Sequence, residues 1–328
     1  MAKLNSTMSI KDYFKVNKSD KGLLSVEIVM IIYMVFTGLL TLSYGHKLEH
    51  FDSLLIKRAI VLGSIFIGYR IWKYYPCRAL VVIRYTAVML CLIFLYSETY
   101  DFASQLPYKD HIFASIDWKL FGYQPSLEFC KSMTNLFWSE ALYLGYYSYY
   151  YIMILTMLCF AFWRYELSNK ASFIFLSSFF LYYVIYEFLP VAGPYYYFQA
   201  IGIDAANSGV YPDLGYYFQT HNEMLPSESR GVFSHLVHGL HETDEYPTAA
   251  FPSSHVGMGT VSMMLLWRGK FKWMFFIILP LYLLLCVATV YIQAHYFIDT
   301  IAGFVAAIAL YYFTKWLYEV TLEKRVCR

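Results

Sequence analysis

Phe251-Pro252-Ser253-Ser254-His255 opens one long apolar segment, and Ala294-His295-Tyr296-Phe297-Ile298-Asp299 opens another roughly 40 residues later. Pro252 and the two serines are helix-start signals, since serine caps free backbone N–H groups and proline is tolerated in a first turn. The N–H groups of such an end, with the helix dipole behind them, make an anion site, and His255 stands beside it. The plainer reading is a capped helix with an interfacial histidine. His295 and Asp299 are four residues apart, so a helix places them on one face about one turn from each other. A carboxylate there can set the tautomer of the imidazole and leave its other nitrogen free as nucleophile or base. The plainer reading here is a structural polar pair.

The surroundings of both stretches are membrane-like. Of the 328 residues 59% are hydrophobic and 15% charged, which excludes an ordinary soluble domain. Leu23 to Tyr44 has Glu27 as its one acid and is long enough to span a bilayer. No small-residue cleavage site follows, so it reads as a retained helix rather than a signal peptide. Further spans are expected at 57–75, 79–98, 139–163, 172–191, 251–268, 271–293 and 295–317. The second is short and bounded by Lys57, Arg58, Arg70 and Lys73, and the seventh contains Pro280, which neighbouring helices can accommodate. The fold class expected is therefore an all-α, polytopic membrane helical bundle. Two connections exceed simple turns: 99–138, read as amphipathic pieces at the interface, and 192–250, read as a functional cover. The six cysteines occur singly and signal neither disulfides nor a metal site.

Charge gives orientation. In an eight-span chain seventeen of the 25 Lys and Arg residues fall on the side of the N-terminal tail 1–22 and seven on the other, with Arg84 inside a span. The positive-inside rule then predicts cytoplasmic termini, including the tail 318–328, and outward-facing long connections. Parity places His255, His295, Asp299 and the 192–250 loop at the same outward face.

Pro-Ser-x-His followed by His-Tyr-x-x-Asp, each opening a membrane helix, resembles the second and third motifs of the type 2 phosphatidic acid phosphatase superfamily. The resemblance covers about residues 79–317, a six-span catalytic unit, with two additional spans in 23–78. It implies phosphoryl transfer through a phosphohistidine without a metal or other cofactor. By position, His295 would be the nucleophile, Asp299 its orienting carboxylate and His255 the acid that protonates the leaving alcohol. The sequence departs from the family in two places. The first motif, Lys followed by Arg-Pro, is replaced by Glu187-Phe188-Leu189-Pro190-Val191-Ala192-Gly193-Pro194-Tyr195-Tyr196, and the arginine six residues before the motif histidine is Thr289. Gly-Pro-Tyr with His-Tyr-x-x-Asp is similar to the branch containing inositol phosphorylceramide synthases.

With those cations absent, the expected phosphate-binding residues are Ser253, Ser254, Arg230, Tyr195 and Tyr291. Arg230 is the basic residue of the long outer loop and a guanidinium can clamp a phosphate, although a solvated loop arginine reads the same way. His235, His238 and His241 have a spacing that could line a helix and bind metal, but a surface helix over the site explains them without an ion. Two enzymatic readings follow: transfer of a phospho-head group from a phospholipid to a lipid hydroxyl such as ceramide or diacylglycerol, or hydrolysis of a lipid phosphate with water as acceptor. A reading of another class is a catalytically silent lipid-binding or transport protein. No internal repeat of the transporter kind is present, and no feature points to nucleic acid.

Overall fold

The computed structural model describes residues 22–133, 135–226, 231–244 and 246–323, with backbone alone from 240 to 244. The expected tail 1–22 therefore lies almost wholly outside the described residues, as do Arg230 and residues 324–328. Among the described residues every regular element is helical. They are α1 (Ser25–Tyr44), α2 (Phe51–Tyr74), α3 (Arg78–Ala103), α4 (Asp110–Phe121), α5 (Pro125–Ser132), α6 (Leu136–Trp163), α7 (Tyr165–Phe188), α8 (Pro194–Ile201), α9 (Ile203–Asn207), α10 (Val232–Asp244), α11 (Ser254–Arg268), α12 (Lys272–Tyr291) and α13 (Phe297–Tyr318).

A helix occupies each of the eight expected spans, and six of them (α1, α3, α6, α7, α12 and α13) are long and apolar enough to cross a membrane. The two exceptions have different causes. α2 is 24 residues long but carries Asp52, Lys57, Arg58, Arg70 and Lys73. α11 has only 15 residues, about 22 Å against the roughly 30 Å of a hydrocarbon core. It packs between α6, α7, α12 and α13. α13 passes its start closely at Gly303, where an added Cβ would run into the backbone carbonyl of Ser253.

The connection 99–138 forms α4 and α5. α4 buries Asp110, Phe113, Ala114 and Asp117 on one face and exposes Ile112, Leu120 and Phe121 on the other. The loop 192–250 contains α8, α9 and α10, the last packed on α6.

α1 and α2 pack against α3, and α1 also against α7. Their polar residues are matched. Arg84 holds the Glu27 carboxylate with Nε at 2.7 Å from Oε1, and both residues are buried. Arg58 donates to Glu98 at 2.7 Å, Lys57 lies 3.2 Å from the same carboxylate, and the Tyr33 hydroxyl donates to Glu187 at 2.8 Å. Glu140 accepts from the N–H groups of Phe233 and Ser234 at the start of α10. These charges are cross-helix ties. Removing one partner of such a pair leaves a buried charge, which destabilises by about 3–5 kcal/mol, whereas replacing both by apolar groups is often neutral. Arg84→Met should therefore lower the thermal unfolding temperature in detergent, and Arg84→Met with Glu27→Leu should recover most of the loss.

Candidate active site

α11 begins as the serine-proline signal predicts. Ser253 is the N-cap, its hydroxyl accepting from the Val256 N–H at 3.4 Å, and its own N–H donates to the Asp299 carbonyl at 3.1 Å. The Tyr186 hydroxyl donates to the carbonyl of Pro252 at 2.8 Å. Ser254 is buried and lies within hydrogen-bonding reach of Tyr149 and Tyr186. One residue on, the ring of His255 stacks on Tyr146 at 4.5 Å and meets the tilted ring of Tyr149 at 4.4 Å between centroids.

His295 sits in the turn between α12 and α13, 5.6 Å from His255 between ring centroids. Its Nδ1 is 2.7 Å from the carbonyl oxygen of Ala250. A carbonyl only accepts, so Nδ1 carries the proton and the neutral ring presents Nε2 with its lone pair. Burial pushes the imidazole pKa down to about 4, partly opposed by this hydrogen bond. Asp299 is the expected orienting carboxylate, but its Oδ2 is 3.8 Å from Nδ1, beyond hydrogen-bonding distance. That oxygen instead accepts from the Tyr296 N–H at 2.9 Å and caps α13. The Ala250 carbonyl sets the tautomer, and Asp299 holds the backbone of the adjoining Tyr296.

Three chain segments and α4 form the cradle. Ala250 N–H donates to Val191 at 3.0 Å, and Tyr195 N–H to Gln293 at 3.1 Å. Asp110 accepts from the N–H groups of Ala192 at 2.9 Å and Gly193 at 2.8 Å, and from the Tyr296 hydroxyl at 3.1 Å. Asp117 accepts from Phe297 N–H at 2.7 Å and Ile298 N–H at 3.1 Å. Burial raises both carboxyl groups to about 6, and the hydrogen bonds they accept limit the rise. Ala249 and Gln293, with φ of 67° and 64°, occupy the left-handed region that non-glycine residues rarely adopt, a form of strain that collects at functional sites. Gly193 has φ +102, and a Cβ on it would meet the Ala294 carbonyl at 2.8 Å, so only glycine fits where the segments cross.

A small cavity lies at the centre. It is lined by the polar residues Tyr96, Tyr146, Tyr195, Thr248, Ser254, His255 and His295 and by Ala192, Ala249, Ala250 and Ala294, and holds about 10 Å³, room for roughly one water molecule. No Lys or Arg is among these residues. Of the expected phosphate-binding residues, Ser254 and Tyr195 line the cavity and Ser253 caps the helix beneath it. Tyr291 does not take part: its hydroxyl donates to the Met133 carbonyl at 2.9 Å and its ring packs on Phe129 and Tyr143. Arg230 lies outside the described residues. His238 bonds the Ser234 carbonyl of its own helix, the His241 side chain is not described, and among the described residues no group of His, Cys, Asp and Glu is placed to hold a metal.

Asp110, Asp117, Tyr96, Tyr146, Tyr149 and Thr248 escaped the sequence reading. Asp110 and Asp117 are seven apart, two turns on one helix face, and a pair of acids on the apolar side of an interfacial helix was a legible signal. The tyrosines were hidden among 34 of their kind.

A family model described as the PAP2 superfamily matches residues 115–313. No curated protein and no solved structure matches. The matched stretch runs from α4 into α13, so α1, α2, α3 and Asp110 lie outside it.

A pH effect on stability follows from His295. The unfolded chain titrates it near 6.5 and the folded chain near 4, so the unfolded state binds more protons between those values. Its contribution is intact above about 6.5 and declines as pH falls toward 4, by on the order of 3 kcal/mol in total. Asp110 and Asp117, raised to about 6, gain stability over the same fall in pH, so the part due to His295 is read as a difference: from about pH 6.5 to 4 the wild-type protein should lose more, or gain less, thermal stability than His295→Gln.

Proposed function

Because the chain belongs to the PAP2 superfamily, whose members point to lipid phosphatase or phosphotransferase chemistry, we propose that this integral membrane protein transfers a phospho-head group from a phospholipid to a lipid hydroxyl through a phosphohistidine at His295. The observation that carries the reading is the 2.7 Å bond from Nδ1 of His295 to Ala250, which leaves Nε2 unprotonated beside His255.

In the first step Nε2 attacks the phosphorus, an N–P bond forms and the ester P–O bond breaks. His255 gives its proton to the leaving alcohol oxygen. In the second step an acceptor hydroxyl loses its proton to His255 and attacks the same phosphorus, so that a P–O bond replaces the N–P bond. The low pKa of His295 keeps the nucleophile neutral at pH 7. Asp299 is placed to stabilise the charge the ring acquires as its N–P bond forms. Charge building on the phosphoryl oxygens meets the N-terminus of α11 and the hydroxyls around the cavity.

The choice of a phosphodiester donor rests on charge. A phosphomonoester is close to dianionic and calls for guanidinium or ammonium partners, whereas the cavity described offers hydroxyls and imidazoles. A monoanionic diester suits that lining, and so does an acceptor such as the hydroxyl of ceramide or diacylglycerol. Hydrolysis of a lipid phosphate or pyrophosphate is the second reading, favoured by room for about one water in the cavity.

Purified protein offered phosphatidate, lipid pyrophosphate, phosphatidylinositol and ceramide should move a head group to the lipid hydroxyl, as read by mass spectrometry. Release of phosphate alone would replace transfer by hydrolysis, and no turnover would favour a silent lipid-binding protein. His295→Ala should abolish turnover and the trapping of phosphorylated protein, a drop of at least about 10³-fold. His255→Ala should slow loss of the alcohol most with poor leaving groups.

In this proposal both termini are cytoplasmic and the site faces the periplasm, the cell exterior or an organelle lumen, in keeping with the asymmetry of Lys and Arg. A single cysteine placed at Ser208, exposed at the end of α9, should react with an impermeant maleimide on intact cells. Labelling that requires lysis would reverse the orientation.

A further inference from the structure

Thr248 lies in the segment that leads to Ala249 and Ala250. It is 6% exposed, and its hydroxyl has no hydrogen-bond partner, while its N–H is occupied by the Tyr246 carbonyl at 2.7 Å. The side chain lines the cavity shared with Ser254, His255 and His295. A hydroxyl buried without a partner destabilises a protein, and valine would fill the same space without that penalty. A hydroxyl buried in the cavity that holds two candidate catalytic histidines is seldom left unsatisfied without a ligand that completes it, and the ligand here must bring an acceptor into a cavity that has no described cation.

We propose that the Thr248 hydroxyl donates a hydrogen bond to a non-bridging oxygen of the phosphoryl group while it is carried between donor and acceptor on His295. The inference rests on the phosphotransfer reading and deepens it, assigning a neutral donor to the oxygen that a lysine or arginine would otherwise neutralise. It fits a monoanionic diester, whose oxygens carry less charge than those of a monoester. The segment that sets the tautomer of His295 through Ala250 thereby also supplies a contact to the group His295 attacks.

Thr248→Val and Thr248→Ser, made in the full chain, test this with orthovanadate, an analogue of the phosphoryl group in transit, and with turnover of the phospholipid donor. Thr248→Val should unfold at the same temperature as the wild type or higher, because no intramolecular hydrogen bond is lost. It should bind orthovanadate about 10-fold more weakly and lose about 10- to 100-fold in kcat/KM, whereas Thr248→Ser, which keeps the hydroxyl, should stay within a few-fold of wild type. Undiminished vanadate binding and turnover in Thr248→Val would overturn the assignment and leave the phosphohistidine reading standing. So would a Thr248→Val protein that unfolds well below the wild type, since the hydroxyl would then be structural. If the wild type itself neither binds vanadate nor turns over a phospholipid, the phosphotransfer reading falls and this contact with it.

Discussion

The hydrogen bond from Nδ1 of His295 to the carbonyl of Ala250 is the interaction on which the site depends, because it decides which nitrogen can react. It is held by a closed circuit. Ala250 is tied to Val191, the following Ala192 and Gly193 are tied to Asp110, and Asp110 is tied to Tyr296, the neighbour of His295. A shift in any member would be felt at the imidazole. The circuit crosses where Gly193 meets Ala294 and where α13 meets Ser253, contacts that leave no space for a side chain, so the segments cannot slide independently.

The same device recurs across the molecule. Asp110, Asp117, Glu140, Asp299 and Glu27 each accept backbone N–H groups at a bend or a helix start. Free N–H groups are costly in a bundle that sheds water, and a carboxylate satisfies one or two of them while complementing the helix dipole. The acids are thereby spent on architecture. What remains around the two histidines is a ring of hydroxyls, and that neutrality is the basis for preferring a diester substrate.

Much of this was legible. Apolar run lengths predicted helices where α1, α3, α6, α7, α12 and α13 lie, since bilayer thickness imposes a length that sequence displays directly. Ser253 as a cap, and the pairing of two helix starts that carry His255 and His295, were also readable. Tyr291 was misread as a phosphate ligand because a tyrosine's hydroxyl has no sequence mark of its direction, and it turns toward Met133. The i,i+4 spacing promises that Asp299 lies against the His295 ring as its orienting carboxylate. Yet His295 sits ahead of the first helical turn, so the spacing does not hold and the 3.8 Å gap results.

The sequence by itself determined a helical membrane protein with two polar helix starts and a shortage of cations beside them, because composition, periodicity and capping are local properties. Only the tertiary structure decided what holds the nucleophile. The Ala250 carbonyl, the Asp110 and Asp117 carboxylates and the Thr248 hydroxyl reach His295, its flanking turn or its cavity from segments 45 to 185 residues away in the chain. A backbone carbonyl is present in every residue, and which one faces an imidazole is settled by packing alone.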